Sequence, residues 1–362
     1  EPESEGSIMN LKKGETLKVR DLVYGMMLWS ANDAAEVLAY AAGGDIDTFC
    51  DMMNERAKAC GAKDTAYTNP NGLNDEAVNN VTTAYDLALI ARSAMNNPDF
   101  AKIVGTSKYT IKATNKSGER KHRNSDRCLW DTKSKVEIDG VETPMKYDGC
   151  IGVKTGYSST AGDCFVGCVK RGNTKLITVV LNASHEAQKF QDTINLWNYA
   201  FANYKTYTVA QMGDVLYEQK VKRGDLAKVD LGLDSDLKIT VDRNSKPSET
   251  VTTKVIIDKQ NLDGRKIKAP IKKGTALGQI IVYNNGKKVA SRDLVTMENV
   301  KKGGPLSYIG IADENVFEFF LILAGAIAAL IVIIFIIKIR RQINRERRRA
   351  RNRRSIKREE RE

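Results

Sequence analysis

The sequence has very little histidine and no Cys-x-x-Cys motif. Its 362 residues include two histidines, His122 and His185, and six cysteines. A histidine-rich zinc site needs more such ligands, and a Ser-His-Asp triad needs a histidine beside its serine. These shortages argue against both kinds of site. The sequence predicts neither a metal nor a cofactor.

Net positive charge is low outside one segment of the chain. The chain carries a net charge of +12, but residues 338–362 hold 13 Lys/Arg and 4 Asp/Glu and so account for +9. The other 337 residues contribute only +3. A body that binds a polyanion needs an excess of basic residues of its own. The sequence therefore predicts no nucleic-acid partner.

The six cysteines all lie in the first 170 residues. They are Cys50, Cys60, Cys128, Cys150, Cys164 and Cys168. Outside the cytoplasm an even number could form disulfides, but the pairing cannot be deduced from the spacing. We interpret Cys164 and Cys168 as unpaired cysteines that serve as small apolar residues of the core.

One long run has neither a charge nor a strongly polar residue. It extends over 19 residues from Phe319 to Ile337. As a helix it would span roughly 28 Å, close to the roughly 30 Å hydrocarbon core of a bilayer. The alternative is a buried core helix, but such a helix has a polar face and this run has none. The sequence predicts a transmembrane helix at 317–338.

The charges on the two sides of this run differ. Asp313, Glu314 and Glu318 precede it, and the basic tail at 339–362 follows it. The positive-inside rule places the tail in the cytoplasm and the N-terminal body outside. We interpret the tail as a topology anchor attracted to anionic lipid. A protein-binding site is the alternative.

The periodicity of the body changes near residue 206. Amphipathic helices and then alternating strands are predicted within 1–205, including a helical pattern over Val19–Ala42 that breaks at Trp29-Ser30. Residues 206–300 consist of short alternating runs separated by turns, which is typical of a small all-β domain. Residues 301–316 would link that domain to the membrane helix. The fold class predicted is α+β.

The segment Gly149–Tyr157 is an apolar, glycine-flanked run that leads into Lys154-Thr155-Gly156. On an edge strand, Lys154 would offer a point charge to a carboxylate and Thr155 a hydrogen bond to the same group. Gly156 would let an extended peptide approach the backbone. Alone, the tripeptide is more often a polar turn, so it needs partners.

A second motif lies upstream, where Ser30 and Asn32 place a hydroxyl and a carboxamide near the start of a small-residue helix. The alternative role for either residue is a helix cap. Ser-x-Asn followed by Lys-Thr-Gly matches two of the three elements of the penicillin-recognising serine enzymes.

The residues around both motifs carry a closer resemblance. Leu22–Ala35, Thr68–Leu73 and Thr82–Ala88 resemble segments of the low-molecular-mass penicillin-binding proteins, the D-alanyl-D-alanine carboxypeptidases. The resemblance extends from about Lys12 to Met297. It implies a penicillin-binding/β-lactamase-like domain, with helices on an antiparallel sheet, followed by an all-β domain. A full membrane span departs from the amphipathic anchor of many relatives.

The resemblance also implies a reaction. The substrate would be a peptidoglycan stem peptide ending in D-Ala-D-Ala, cleaved through an acyl-enzyme that β-lactams trap. Lys154 and Thr155 would hold the terminal carboxylate, and Asn32 would bond the stem amide oxygen. Ser30 would relay a proton, and the backbone N–H of Tyr157 would donate to the oxyanion.

The third family element, Ser-x-x-Lys with the nucleophile, does not precede Ser30. The only match in the chain is Ser235–Lys238, in a strand-rich region and in the wrong order, so we interpret it as coincidence. No signal peptide is visible either. We therefore expect an N-terminal part outside these 362 residues. One alternative is a non-catalytic, membrane-anchored wall-binding homologue. A β-lactamase is another, but a β domain and a membrane anchor after the catalytic domain argue against it.

Arg123-Asn124 matches an Arg-Asn element that the family carries before Lys-Thr-Gly. The gap to Lys154 is longer than the family pattern, and 133–147 looks like an insertion. A solvated charge is an equal alternative for Arg123.

Overall fold

The computed structural model describes residues 6–73, 80–258, 260 and 262–359, with the backbone alone from 349 onward. These residues divide into two compact units. The first unit extends to Thr206 and includes Asp242–Asn244. The second, called the β unit below, contains Tyr207–Val241 and the chain from Ser245 onward.

The first unit begins with helices and continues with short strands. Its helices are α1 (Val19–Trp29), α2 (Asn32–Gly43), α3 (Ile46–Ala59), α4 (Ala84–Ala94), α5 (Pro98–Val104) and α6 (Glu186–Asn203). Its strands are β1 (Lys108–Ile111), β2 (Arg120–Arg123), β3 (Lys135–Ile138), β4 (Val141–Pro144), β5 (Cys150–Ser158), β6 (Gly162–Arg171) and β7 (Thr174–Ala183).

Capping residues fix the helix boundaries. The Asp45 carboxylate accepts a hydrogen bond from the Thr48 N–H at 2.7 Å, which starts α3. The Thr83 hydroxyl accepts from the Asp86 N–H at 3.1 Å, which starts α4. Each cap satisfies an N–H group that has no partner within the helix. The predicted break of the first helix at Trp29-Ser30 is confirmed, since α1 ends and α2 begins there.

The structure contains a helix that the sequence analysis missed. Asn97-Pro98 follows α4 and is typical of a helix stop, but the Asn97 side-chain oxygen accepts hydrogen bonds from the N–H groups of Asp99 and Phe100. Pro98 stands at the first helical position, where its missing N–H costs nothing. The same residues therefore end one helix and begin α5. Hairpin β3–β4 lies within the segment interpreted as inserted.

The central sheet of the first unit has the order β5-β6-β7, with both pairs antiparallel. The core between this sheet and α6 contains Phe165, Phe190, Ile194 and Trp197, each at most 1% exposed. The last three lie on one apolar face of α6, at helical spacing. This packing fixes β6, and β6 in turn holds β5 along its length.

The β unit consists mainly of strands. They are β8 (Tyr204–Ala210), β9 (Val215–Lys222), β10 (Lys228–Gly232), β11 (Leu237–Asp242), β12 (Val251–Ile257), β13 (Leu262–Asp263), β14 (Lys266–Lys268), β15 (Ala276–Asn284) and β16 (Lys287–Thr296). A short helix, α7 (Pro247–Thr250), precedes β12, and the long helix α8 (Val316–Glu359) ends the unit.

Seven of these strands form one sheet, with the order β12-β15-β16-β10-β9-β14-β13. Alternate residues of its strands face an apolar core that includes Leu231, Val282 and Leu294, none of them exposed. The predicted order of a helical and antiparallel unit, then an all-β unit, then an apolar helix is confirmed.

Helix α8 contains the apolar run. It is long and apolar enough to cross a membrane, with a mean hydropathy of 3.3 over its best window and no burial against the rest of the protein. A soluble core helix would be covered, so the lack of burial over this window favours a lipid environment.

The six cysteines are free thiols. Cys168 is fully buried, as predicted for a small core residue. Cys164 is only half-buried, and its sulfur accepts a hydrogen bond from the Asn182 N–H.

Candidate active site

Strand β5 carries the Lys-Thr-Gly motif on an outer position of its sheet, as predicted. Gly152 lets this strand pack against α5. Its φ is +120°, and a Cβ at this position would lie 2.8 Å from Val104 Cγ2. Any side chain would clash there, so glycine is required for β5 to approach the helix.

Lys154 is the centre of the site. Its ammonium group donates a hydrogen bond to the Ser30 hydroxyl and another to the Thr155 carbonyl oxygen, the latter at 2.8 Å. Burial and, to a smaller extent, the positive charge of Lys189 together lower the pKa of Lys154 to about 8, while Asp126 opposes the shift. A lysine with such a pKa can be either charged or neutral near physiological pH.

Ser30 occupies a strained backbone position. It ends α1 in the left-handed conformation, with φ of +57° and ψ of +37°. Non-glycine residues adopt this conformation at a cost, and such residues cluster at functional sites. The conformation turns the chain between α1 and α2 and places the Ser30 hydroxyl on Lys154.

Asn32 is the first residue of α2 and is 9% exposed. Its N–H donates to the Ser7 carbonyl oxygen at 2.8 Å. Next to it, the Asp33 carboxylate accepts from the N–H groups of Met9 and Leu11. Asp33 therefore anchors the N-terminal segment against α2, beside Asn32.

Thr155 has a partner that the sequence analysis missed. Its hydroxyl lies 2.6 Å from the Ser125 hydroxyl. The Ser125 N–H donates to the Leu28 carbonyl oxygen at 3.1 Å, which ties this residue to α1. The only available signal was its position directly after the Arg123-Asn124 element.

The Arg123-Asn124 element lies next to Ser125 and stabilises the loop around it. The Asn124 side-chain amide is buried and donates to the carbonyl oxygens of Val104 and Thr106. The exposed Arg123 guanidinium lies 4.2 Å from the centre of the Trp130 ring. Asn124 thus fixes the loop that carries Ser125.

Gly156 and Tyr157 form the exposed end of the motif. A Cβ at Gly156 would have only one close neighbour, Cys164 Cβ at 3.9 Å, which is ordinary contact. The packing of the described residues therefore leaves room for a side chain at 156. The Tyr157 side chain is 73% exposed.

A buried carboxyl group lies behind the site. Asp126 is not exposed, and it accepts hydrogen bonds from the Cys128 N–H at 2.9 Å and from the Cys150 thiol at 3.5 Å. Burial raises its pKa to about 7. When ionised, it favours the charged form of Lys154.

A buried ion pair holds the far side of the sheet. Lys189 of α6 and Asp163 of β6 are 2.7 Å apart, with side chains 6% and 12% exposed. Asp163 lies opposite Tyr157 in the β5–β6 register. The pair therefore connects α6 to the strand that positions the motif.

The two histidines and the Ser235–Lys238 match have surroundings of their own, and the centre of the His122 ring lies 5.0 Å from that of Trp29, the residue before Ser30. The His122 ring nitrogens are buried without a hydrogen bond among the described residues, and His185 caps α6. In the β unit, the Ser235 hydroxyl donates to Asp234. The Lys238 ammonium pairs with Asp236. Ser235 and Lys238 therefore each have an acidic partner of their own.

Comparison with known proteins identifies matches over both units. A family described as D-alanyl-D-alanine carboxypeptidase matches residues 1–185. The C-terminal domain of penicillin-binding protein 5 matches residues 204–302.

Individual proteins agree with these matches. The chain is 28% identical to D-alanyl-D-alanine carboxypeptidase DacF of Bacillus subtilis, over 84% of this chain and 72% of that protein. It is 30% identical to DacC of Escherichia coli, over 82% and 68%. Among solved structures, penicillin binding protein 5 of Haemophilus influenzae has a TM-score of 0.58 at 27% identity, over 83% and 79% of the two chains. The chain therefore belongs to the D-alanyl-D-alanine carboxypeptidase family of serine peptidases, as its motifs predict.

Proposed function

We propose that Lys154, Thr155, Ser125, Ser30 and Asn32 form the carboxylate-binding and proton-relay half of a D-Ala-D-Ala carboxypeptidase site. The observation that carries this proposal is the hydrogen bond from Lys154 to Ser30, which joins the two motifs. Two further hydroxyls, those of Thr155 and Ser125, meet beside it. A cation with adjacent hydroxyls suits a terminal carboxylate.

Each residue then has a defined role. The Lys154 ammonium and the Thr155 hydroxyl bind the C-terminal carboxylate of the stem peptide, and Ser125 orients Thr155. Asn32 bonds the stem amide oxygen. The Tyr157 N–H donates to the developing oxyanion, and the absence of a side chain at Gly156 lets the peptide lie along β5.

In the first step the oxygen of the nucleophilic serine bonds to the carbonyl carbon of the penultimate D-alanine. The C–N bond breaks, and the proton that the serine hydroxyl gives up passes through Ser30 to the leaving nitrogen, which releases D-alanine. Water then hydrolyses the ester, returning the serine hydroxyl and leaving a shortened peptide with a new carboxylate. A β-lactam would form the same ester and remain trapped.

The nucleophile is expected in a Ser-x-x-Lys motif, and no such motif precedes Ser30 in the 362 residues. A second candidate function is that of a membrane-anchored homologue that binds wall peptides without cleaving them. Both functions require the same carboxylate site, and they differ only in acylation.

Peptide binding tests the site without depending on the nucleophile. We expect the chain to bind N-acetyl-L-lysyl-D-alanyl-D-alanine and to bind it about 10- to 100-fold more weakly after Lys154→Ala, since a hydrogen bond to a charged group contributes about 1.5–3 kcal/mol. Lys154→Arg should also weaken binding, because a planar guanidinium replaces a point charge. Isothermal titration calorimetry measures each Kd.

The matched control is the same peptide with a C-terminal amide, which lacks the carboxylate. Its weak binding should not change with Lys154→Ala. If the variant binds the acid form as tightly as the wild type does, Lys154 is not the carboxylate ligand.

Covalent labelling tests whether a serine of these 362 residues can replace the nucleophile. We expect residues 1–362 alone to form no adduct with fluorescent penicillin. Penicillin binding protein 5 of Haemophilus influenzae is the positive control for labelling. A serine misplaced by about 1 Å loses roughly a hundredfold in rate, so Ser30 should not substitute for the nucleophile. An adduct mapped by mass spectrometry to Ser30 or Ser125 would refute this assignment.

We also propose an arrangement along the chain. Residues 1–205 form the catalytic domain, 206–300 the all-β domain, 301–316 a linker, 317–338 the membrane span and 339–362 a cytoplasmic tail. Support comes from the apolar helix and the basic residues that follow it. Protease added to intact cells should digest the body and spare an epitope after Glu362, and the reverse pattern would reverse the topology.

A further inference from the structure

A basic cavity lies in the β unit, between the ends of β9 and β14 and the 3-10 helix Pro305–Ile309. Its volume is about 590 Å³. Its lining includes one acidic residue, Asp263, and several basic ones. The basic residues are Lys220, Lys222, Arg223, Lys228, Arg265 and Lys266. We refer to this site as the basic cavity.

Most of this positive charge is not neutralised by the protein. Lys222 pairs with Asp263 at 2.7 Å. Lys228 pairs with Glu218 outside the lining. The other four basic residues form no ion pair within the part of the chain that the structure describes. The cavity therefore presents several unpaired donors to an anion.

Arg223 is held in an unusual conformation within this cavity. Its φ is +60°, which is costly for a residue with a side chain. Its guanidinium lies 4.9 Å from the centre of the Tyr308 ring. Its Nε is buried and has no hydrogen-bond partner among the described residues. A buried donor without a partner is rare in proteins, and an anion in the cavity would supply one.

The basic cavity is adjacent to the start of the apolar helix. Ala312 lines the cavity, and α8 begins four residues later at Val316. Four residues of helical backbone span roughly 6–8 Å. Between them, the Glu314 carboxylate accepts from the Ala227 N–H at 2.7 Å, which ties the base of α8 to the turn that lines the cavity.

Apolar side chains lie at the same place. Tyr308 and Ile309 line the cavity, and they are 51% and 72% exposed. Water-exposed aromatic and branched residues next to a membrane helix are typical of the lipid interface. An anion free in solution would explain the basic residues but not this exposed apolar rim.

We propose that the basic cavity binds the phosphate of an anionic phospholipid headgroup, in the leaflet from which α8 enters the membrane. Arg223, Lys220 and Lys266 hold the phosphate oxygens, and Tyr308 and Ile309 contact the glycerol and the first acyl carbons. Bound lipid would fix the β unit at the membrane surface at a second point beside α8.

Titration of the intact chain in detergent with dihexanoyl phosphatidylglycerol, followed by calorimetry, tests this site. We expect Lys220→Gln/Lys266→Gln to weaken binding tenfold or more. Both lysines are exposed, so the exchange should leave the fold intact, which far-UV circular dichroism checks. Lys287→Gln/Lys288→Gln removes the same charge from the start of β16 in the same unit and should change the affinity less than twofold.

A further control is Arg347→Gln/Arg348→Gln, since a basic tail attracts anionic lipid by itself. Equal weakening in all three double variants would mean that the lipid responds only to net charge, and the proposal would fail. Inorganic phosphate should bind at least tenfold more weakly than phosphatidylglycerol, and dihexanoyl phosphatidylcholine should not compete. Equal affinity for phosphate and phosphatidylglycerol would identify a site for soluble phosphate instead of lipid.

Discussion

The Lys154 site and the basic cavity both offer positive charge, but they do so in opposite ways. Lys154 is one half-buried cation whose ammonium is fixed by hydrogen bonds to Ser30 and Thr155. The basic cavity has six cations, of which four are exposed: Lys220, Lys228, Arg265 and Lys266. The first arrangement places one cation at a fixed point, whereas the second distributes several cations around a cavity. The first suits a single carboxylate in a reaction, and the second suits a headgroup at a surface.

The largest expected effect is on stability, from breaking the buried Lys189–Asp163 ion pair near the Lys154 site. Lys189→Met leaves Asp163 buried without its partner, which typically costs about 3–5 kcal/mol. Every tryptophan of the chain lies in the first unit, so urea unfolding followed by tryptophan fluorescence reports on this unit. We expect the free energy of unfolding to fall by that amount.

The exposed pair Lys228–Glu218 of the β unit is the matched comparison. Lys228→Met should cause no measurable change by circular dichroism, because water and salt screen exposed ion pairs. The double variant Lys189→Met/Asp163→Leu should recover part of the loss, since it leaves no unpaired charge. Equal stability of Lys189→Met and Lys228→Met would show that burial does not distinguish the two pairs.

The next effect concerns pH. Lys154 is positively charged below its pKa of about 8 and neutral above it. Binding of the D-Ala-D-Ala peptide should therefore be constant between pH 6 and 7.5 and weaken above pH 8, approaching tenfold per pH unit, because only the ammonium form pairs with the carboxylate. Calorimetry at each pH measures the profile.

Two variants sharpen this profile. In Lys154→Arg, binding should be weaker but independent of pH in this range, since a guanidinium keeps its proton. In Lys189→Met the fall should move to higher pH, because the charge that disfavours a second cation is removed. A wild-type profile that stays flat to pH 10 would exclude Lys154 as the group that binds the carboxylate.

The fold was predictable because its elements are local patterns. Periodicity and turn residues predicted the amphipathic helices and alternating strands of the first unit and the short strands of the β unit, but not the hairpin β3–β4 within 133–147. A run of 19 apolar residues predicted the membrane helix. Helix α5 was missed because Asn97-Pro98 serves as an end and a start at once. A local sequence pattern cannot distinguish a helix end from a helix start at these residues.

Only those site residues that belong to a sequence motif could be predicted. Ser30 and Lys154 were identified from their motifs, and the structure brings them together across 124 residues of sequence. Ser125, Asp126 and Lys189 act through contacts that depend on the folded sheet, so no spacing in the sequence indicated them. The basic cavity was missed for the same reason, because its cations come from separate segments of the β unit.

The smallest effect tests the residue that sequence analysis missed. Ser125→Ala removes the hydroxyl that lies 2.6 Å from the Thr155 hydroxyl. A single net hydrogen bond contributes about 0.5–1.5 kcal/mol, so we expect the D-Ala-D-Ala peptide to bind about 2- to 10-fold more weakly. Ser117→Ala changes a serine that is not part of the site and should leave the Kd unchanged.

A double-mutant cycle decides whether Ser125 acts through Thr155. Thr155→Val keeps the shape of the side chain and removes its hydroxyl, so it should weaken binding more than Ser125→Ala does. If the only role of Ser125 is to orient that hydroxyl, Ser125→Ala/Thr155→Val should bind no more weakly than Thr155→Val alone. Additive losses would mean that Ser125 contacts the carboxylate itself. The site would then hold its ligand with three side chains, not with the two that the Lys-Thr-Gly motif provides.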